Sequence, residues 1–292
     1  MNVVRVFPRK TSLTPSDKMA FIGDPPMLRP EADEVHVSVT FTWDISEGER
    51  LAQAWGNYYP VVKIGGPAFG NVTEQFTPGM YLKNGVTFTT RGCNRKCPWC
   101  LVPSREGNLI EIYDFAPGYI IQDNNFLQAS NAHQDRVFAM LDKQPRAAVF
   151  SGGLDARLVN VWFADKIKSI RLNQLFLAAD TAGALRPLER AIKILSLPIR
   201  KIRVYVLIGF DDETIEQATE RLETVWKFGG LPFAQLYQPP DRFIDYSPQW
   251  KQLARTWSRP AAMFSLHSTR QPNKRLHATA DSGAFFTQGT LF

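Results

Sequence analysis

All three cysteines of this 292-residue chain fall within the decapeptide RGCNRKCPWC, at Cys93, Cys97 and Cys100. An odd, clustered set cannot make a disulfide framework, which asks for even numbers and spread positions. Thiolates are ligands for soft metals, and three on one tight loop can hold three corners of an iron–sulfur cube while the fourth iron keeps no protein ligand. An open metal position is what separates a reactive site from a structural one.

Plainer readings compete. A structural zinc knuckle would pair C-x-x-C with a second pair downstream, yet no further cysteine follows and His36, His133, His267 and His277 form no H-x-x-x-H partner. Three incidental core cysteines are the other plain reading.

Such a loop needs a scaffold, and the surrounding pattern supplies one. β-Branched and aromatic runs at 3–7, 19–23, 35–43 and 60–67 read as strands. Between the last two, SEGERLAQAW places Ser46 three residues before Glu49, a capping-box spacing, with Leu51 and Trp55 on one helical face. From Tyr81 the alternation lengthens: strands at 86–90, 118–126, 147–153, 172–180, 201–210 and 233–238, with helical stripes Leu185, Leu188, Ile192, Leu195 and Ile215, Ala218, Leu222, Val225 between them. Trp250, Leu253 and Trp257 mark a closing helix, and beyond Ser268 the chain reads as a basic, flexible tail.

Six strand–helix units can stay open as a doubly wound sheet or close partly into a barrel, and in both the functional edge lies where strands end. The cysteine loop and the turns QDNN, SGG, AADTAG and GFDDET all fall at that edge. Each turn has a plainer use: Asp155 and Arg157 can pair with each other, Asp180 can be a helix N-cap, and Asp211 and Asp212 read best as caps of the following helix.

C-x-x-x-C-x-aromatic-C, with Trp99 as the aromatic residue, resembles the signature of the radical S-adenosylmethionine (radical SAM) superfamily. AADTAGALRPLERAIKIL and VYVLIGFDDET look like the fourth- and fifth-strand turns of the branch that holds methylthiotransferases and cobalamin-type enzymes, and the first eighty residues, with IGGPAF, are similar to the cobalamin-binding domain that often precedes this barrel. The fold so implied is α/β: a small Rossmann-like domain over 1–80, a partial (βα)6 barrel over 81–248, and a helix plus tail over 249–292.

The resemblance implies that Cys93, Cys97 and Cys100 hold one 4Fe-4S cluster, whose unique iron chelates S-adenosylmethionine. A one-electron reductant such as flavodoxin or ferredoxin drives cleavage to a 5′-deoxyadenosyl radical, which takes hydrogen from a substrate. The family's Gly-Gly-Glu turn is replaced here by QDNN, so Asp123, Asn124 or Asn125 is expected to meet the methionine amine. Gly152 and Gly153 are placed for close backbone approach, Arg157 for the methionine carboxylate, Asp180 and Thr181 for the ribose and Gly209 for the adenine. No D-x-H-x-x-G is present, so no cobalamin is expected, and the three cysteines leave none for a second cluster.

An electron carrier without SAM chemistry and a zinc-stabilised RNA-binding module are the alternatives. The net charge of +6 sits mostly in residues 250–292, with six basic side chains against one acidic, which leaves RNA as a weak partner candidate. No apolar run spans a membrane and no signal-peptide pattern opens the chain, so the cytoplasm is the expected compartment.

Overall fold

The computed structural model describes residues 2–69 and 80–268; the expected tail from residue 269 onward lies outside them. Two parallel sheets organise the chain. The first runs in the order β2 (Ala20–Ile22), β1 (Val3–Phe7), β3 (Glu34–Ser38), β4 (Val62–Gly65), with α1 (Ile45–Gly56) crossing between β3 and β4. Its core packs Val4, Val6, Val35 and Val37 against Leu51 and Trp55 of α1, burial that is the main force holding a small sheet together.

The second sheet comprises β5 (Val86–Thr87), β8 (Ile120–Ile121), β9 (Ala148–Leu154), β10 (Leu172–Ala178), β11 (Ile202–Ile208) and β12 (Leu231–Leu236). These six strands are all parallel and neighbour one another in chain order, with β5 and β12 at the two ends. An order without reversal has no switch point, unlike a doubly wound sheet. Helices α3 (Asn131–Asp142), α4 (Val161–Ser169), α5 (Leu185–Leu195) and α6 (Ile215–Lys227) fill the crossovers, and α7 (Pro248–Ser258) and α8 (Pro260–Ser268) follow β12. One face of β11 gives Val204, Val206 and Ile208 to the helix-side core. The alternate positions Arg203 and Tyr205 face Phe176 and Phe233, the Tyr205 ring lying 4.8 and 5.7 Å from theirs.

Several local expectations give way for identifiable reasons. The capping box at Ser46 does not form: α1 begins at Ile45, and the N-cap residue Asp44 makes no side-chain cap bond because Arg9 holds its carboxylate. Asp211 and Asp212 do not cap α6 either. They take left-handed backbone at φ 54° and 56°, and Thr214 with Gln217 forms a reciprocal capping box instead. The strand expected over 86–90 is interrupted after Thr87, because the Thr89 N–H is taken by Asp123 at 2.6 Å. The chain resumes as β6 (Thr90–Arg91), which pairs antiparallel with β7 (Ile110–Glu111) and so makes a hairpin around the cysteine loop and the short α2 (Val102–Glu106).

The two sheets are tied at the start of the second. Arg5 donates to the Met80 carbonyl at 2.7 Å, and His36 Nδ1 meets the Tyr81 hydroxyl at 2.5 Å. Among the described residues, no helix is long and apolar enough to cross a membrane.

Candidate metal centre

Parallel strands put their C-terminal ends on one edge, so the segments after β5, β8, β9, β10 and β11 share that edge whatever their separation in sequence. The cysteine loop follows β5 and is clamped at its base. Cys93 N–H donates to the Gly107 carbonyl at 3.0 Å, and Glu106 accepts from Arg91 at 2.8 Å, from Gly92 N–H at 3.1 Å and from Asn124 at 2.5 Å. Asn94 is fixed on both sides, its N–H donating to Gln128 and its side-chain oxygen accepting from Leu109 N–H.

Three N–H donors converge on one sulfur. Cys93 Sγ lies 3.4 Å from Arg95 N, 3.5 Å from Gln128 Nε2 and 3.8 Å from Asn125 Nδ2. Donors aimed at sulfur suit an anionic thiolate and tune the potential of a bound iron–sulfur cluster. Burial, followed by the charges of Asp180 and Cys93, pushes the Cys97 thiol up, and burial pushes Cys100 up to about 11. Among the described residues, no group of three or more His, Cys, Asp and Glu side chains is set to hold a single metal ion. Three half-buried thiols with N–H donors around Cys93 form a sulfur donor set of the kind that soft metals and iron–sulfur clusters take.

The neighbouring turns divide between structural and open roles. Asp123, 2% exposed, spends its carboxylate on the N–H and hydroxyl of Thr89, and burial raises it to about 6 despite those bonds. Asn124 is committed to Glu106, while Asn125 links Cys93 to the Asp155 N–H, which it accepts at 3.4 Å. Gly152 is required by packing, since a Cβ there would lie 1.6 Å from the Asp123 carbonyl oxygen; at Gly153 the nearest atom would be 3.6 Å away. Gly209 adopts φ +76° against Tyr246, whose hydroxyl donates to its carbonyl at 3.1 Å.

Asp155 and Arg157 do pair, at 2.7 and 3.0 Å, and Arg95 from the cysteine loop adds a third contact at 2.8 Å. Burial lifts the Asp155 carboxyl, but Arg157 and then Arg95 outweigh it and hold the group below the usual carboxylate range. Arg157 keeps 53% of its side chain exposed at the rim. Asp180 is not an N-cap: α5 starts at Leu185 behind Ala184, and the Asp180 carboxylate accepts from Leu207 N–H at 3.0 Å, while the Trp99 indole beside it favours its ionised form. Burial raises Asp180 to about 6. Thr181 is exposed and makes no side-chain cap bond. Trp99 also packs edge-on to Phe210, ring centroids 5.5 Å apart.

Arg95, Glu106, Gln128 and Thr89 brace this edge and escape a reading of the sequence. Arg95 carries a signal, a cation inside the cysteine loop; Glu106 and Gln128 lie outside any recognisable spacing. The chain matches no protein-family model and no curated protein.

Proposed function

We propose that the chain is a radical SAM enzyme in which Cys93, Cys97 and Cys100 hold one 4Fe-4S cluster at the C-terminal edge of a partial (βα)6 barrel. The observation that carries this reading is the cysteine loop itself: a C-x-x-x-C-x-W-C segment after the first of six parallel strands in chain order, with three N–H donors on its first sulfur. When bound there, the cluster supplies the electron for cleaving the sulfonium of S-adenosylmethionine. The chain's own residues position and shield: Glu106 and Gln128 hold the loop, Phe210 packs against Trp99, and the exposed part of Arg157, beyond its bonds to Asp155, offers donors for the methionine carboxylate. Thr181, Gly153 and Gly209 line the same edge for the nucleoside, within a small α/β domain plus barrel arrangement that uses no cobalamin.

The test is anaerobic reconstitution with iron and sulfide in cytoplasm-like reducing buffer, reduction by flavodoxin or dithionite, and chromatography for 5′-deoxyadenosine. About four irons per chain and reductive production of 5′-deoxyadenosine are expected. A cluster that leaves S-adenosylmethionine intact would make the chain an electron carrier, and zinc in protein purified without oxygen would make it a structural metal module.

A further inference from the structure

The outer face of α5 is one that the helix's own electrostatics disfavour. Arg186, Arg190 and Lys193 stand at i, i+4 and i+7, opposite the buried Leu188, Ile192 and Leu195, so three cations share one side of the helix and repel one another. Arg186 also sits in the first turn, where no acidic residue accompanies it and the positive end of the helix dipole opposes a cation. It makes no hydrogen bond or ion pair among the described residues. The one carboxylate on this face, Glu189, is taken by Lys193 at 2.6 Å.

These side chains, with Pro187, Ile194 and Arg157, line a groove of about 780 Å³. Arg186 and Arg190 are exposed, and Lys193 keeps 71% of its side chain in solvent. Arg190 is anchored at the groove wall, donating to the Arg157 carbonyl at 2.9 Å. That wall adjoins the cysteine loop. The Arg157 guanidinium pairs with Asp155, and Asp155 also accepts from Arg95, two residues after Cys93.

We propose that this face is the docking surface for an acidic one-electron carrier protein, whose carboxylates meet Arg186, Arg190 and Lys193 while Pro187 and Ile194 supply apolar contact. The inference rests on the radical SAM reading, in which a single electron must reach a cluster held by the cysteine loop. One electron leaves the reduced carrier and enters the oxidised cluster, and no bond is made or broken in that step. Carboxylates on the carrier relieve the repulsion along α5 and place its redox centre beside the loop. A nucleic acid would meet the same charges, but the groove's lining holds no aromatic ring on which bases could stack.

Calorimetric titration of the full chain with a flavodoxin tests the surface without any need for a cluster. Saturable binding that weakens as salt is raised is expected. Arg186→Glu and Arg190→Glu should each weaken it about tenfold or more, Arg186→Gln by less, and Lys143→Glu, exposed at the end of α3, not at all. In reconstituted protein the two charge reversals should slow flavodoxin-driven formation of 5′-deoxyadenosine and leave the dithionite-driven rate at the parent's value. Flavodoxin binding to a chain that cleaves nothing with dithionite refutes the enzyme reading and retains the docking surface. No saturation up to about 100 μM flavodoxin at low salt, equal weakening by Lys143→Glu, or tighter binding of a short single-stranded oligoribonucleotide overturns the proposal.

Discussion

The indole of Trp99, inside the cysteine loop, favours the ionised form of the Asp180 carboxylate, three strand units away in the chain. Asp180 also takes the Leu207 N–H at 3.0 Å, so this carboxylate beside the loop joins the ends of β10 and β11. Trp99→Phe keeps the ring against Phe210 and removes only the donor. It is expected to cost about 1 kcal/mol in urea unfolding and to reduce iron retained after reconstitution. Unchanged values for both would show that the indole N–H does not steady the loop.

Gln128 uses both ends of its amide on the loop, accepting from Asn94 N–H at 2.8 Å and donating to Cys93 Sγ at 3.5 Å. Gln128→Leu removes a positive dipole from Cys93 Sγ, so, with that sulfur a ligand as proposed, the reduction potential of the reconstituted cluster should fall. Spectroelectrochemistry of the two proteins measures the shift, and a rise would contradict the assignment of Cys93 as a ligand.

The two adjacent glycines of β9 make opposite predictions. Gly152→Ala forces a methyl to within 1.6 Å of a backbone oxygen and should destabilise by about 3 kcal/mol or more. Gly153→Ala, with ordinary contact at 3.6 Å, should stay within about 1 kcal/mol of the parent. Thermal and urea unfolding distinguish them.

Asp123 sets a pH dependence. Its carboxyl titrates at an ordinary value of 3.8 when unfolded and at about 6 in the folded protein, chiefly because it is buried. Between those values the folded protein holds more protons than the unfolded chain, so this group's contribution to stability falls as pH rises from about 4 to about 6 and is level above. Asp123→Asn removes that slope. Urea midpoints of the two proteins should therefore shift relative to each other across this window in the variant's favour as pH rises, and parallel curves would exclude the effect.

Asp155 works in the other direction. Arg157 and Arg95 hold it below the usual carboxylate range against the pull of burial, so its stabilisation is present above the unfolded value and is lost as pH falls through the folded one. Asp155→Asn should cost about 1–2 kcal/mol at neutral pH, discounted because both arginines are partly exposed, and the difference from the parent should vanish in acid.

The strands with long apolar alternation, β9 to β12, were legible because their side chains are sorted between a helix-side core and a second face: Leu175, Leu177, Val204 and Val206 are all fully buried. The cysteine motif was legible for a different reason, since its spacing is a chemical pattern and needs no fold to be recognised. Harder to read were the points where a side chain replaces a backbone partner. Asp123 cuts one strand short by taking the Thr89 N–H, and Arg9 draws Asp44 away from its cap position. Both depend on residues 34 or 35 positions apart, which local propensity does not see. The same separation hides Gln128, and a longer one of 60 positions hides the Asp155 contact of Arg95.

The strands of the second sheet lie side by side in the order of their synthesis, and this sets a timetable for assembly. At about 5–20 residues per second, the cysteine loop leaves the ribosome roughly 5 to 20 seconds before Leu207 arrives to donate its N–H to Asp180. During that interval the three thiols have no finished scaffold behind them, so any ligand or thiol reagent that meets the nascent chain meets a different loop from the one in the finished protein.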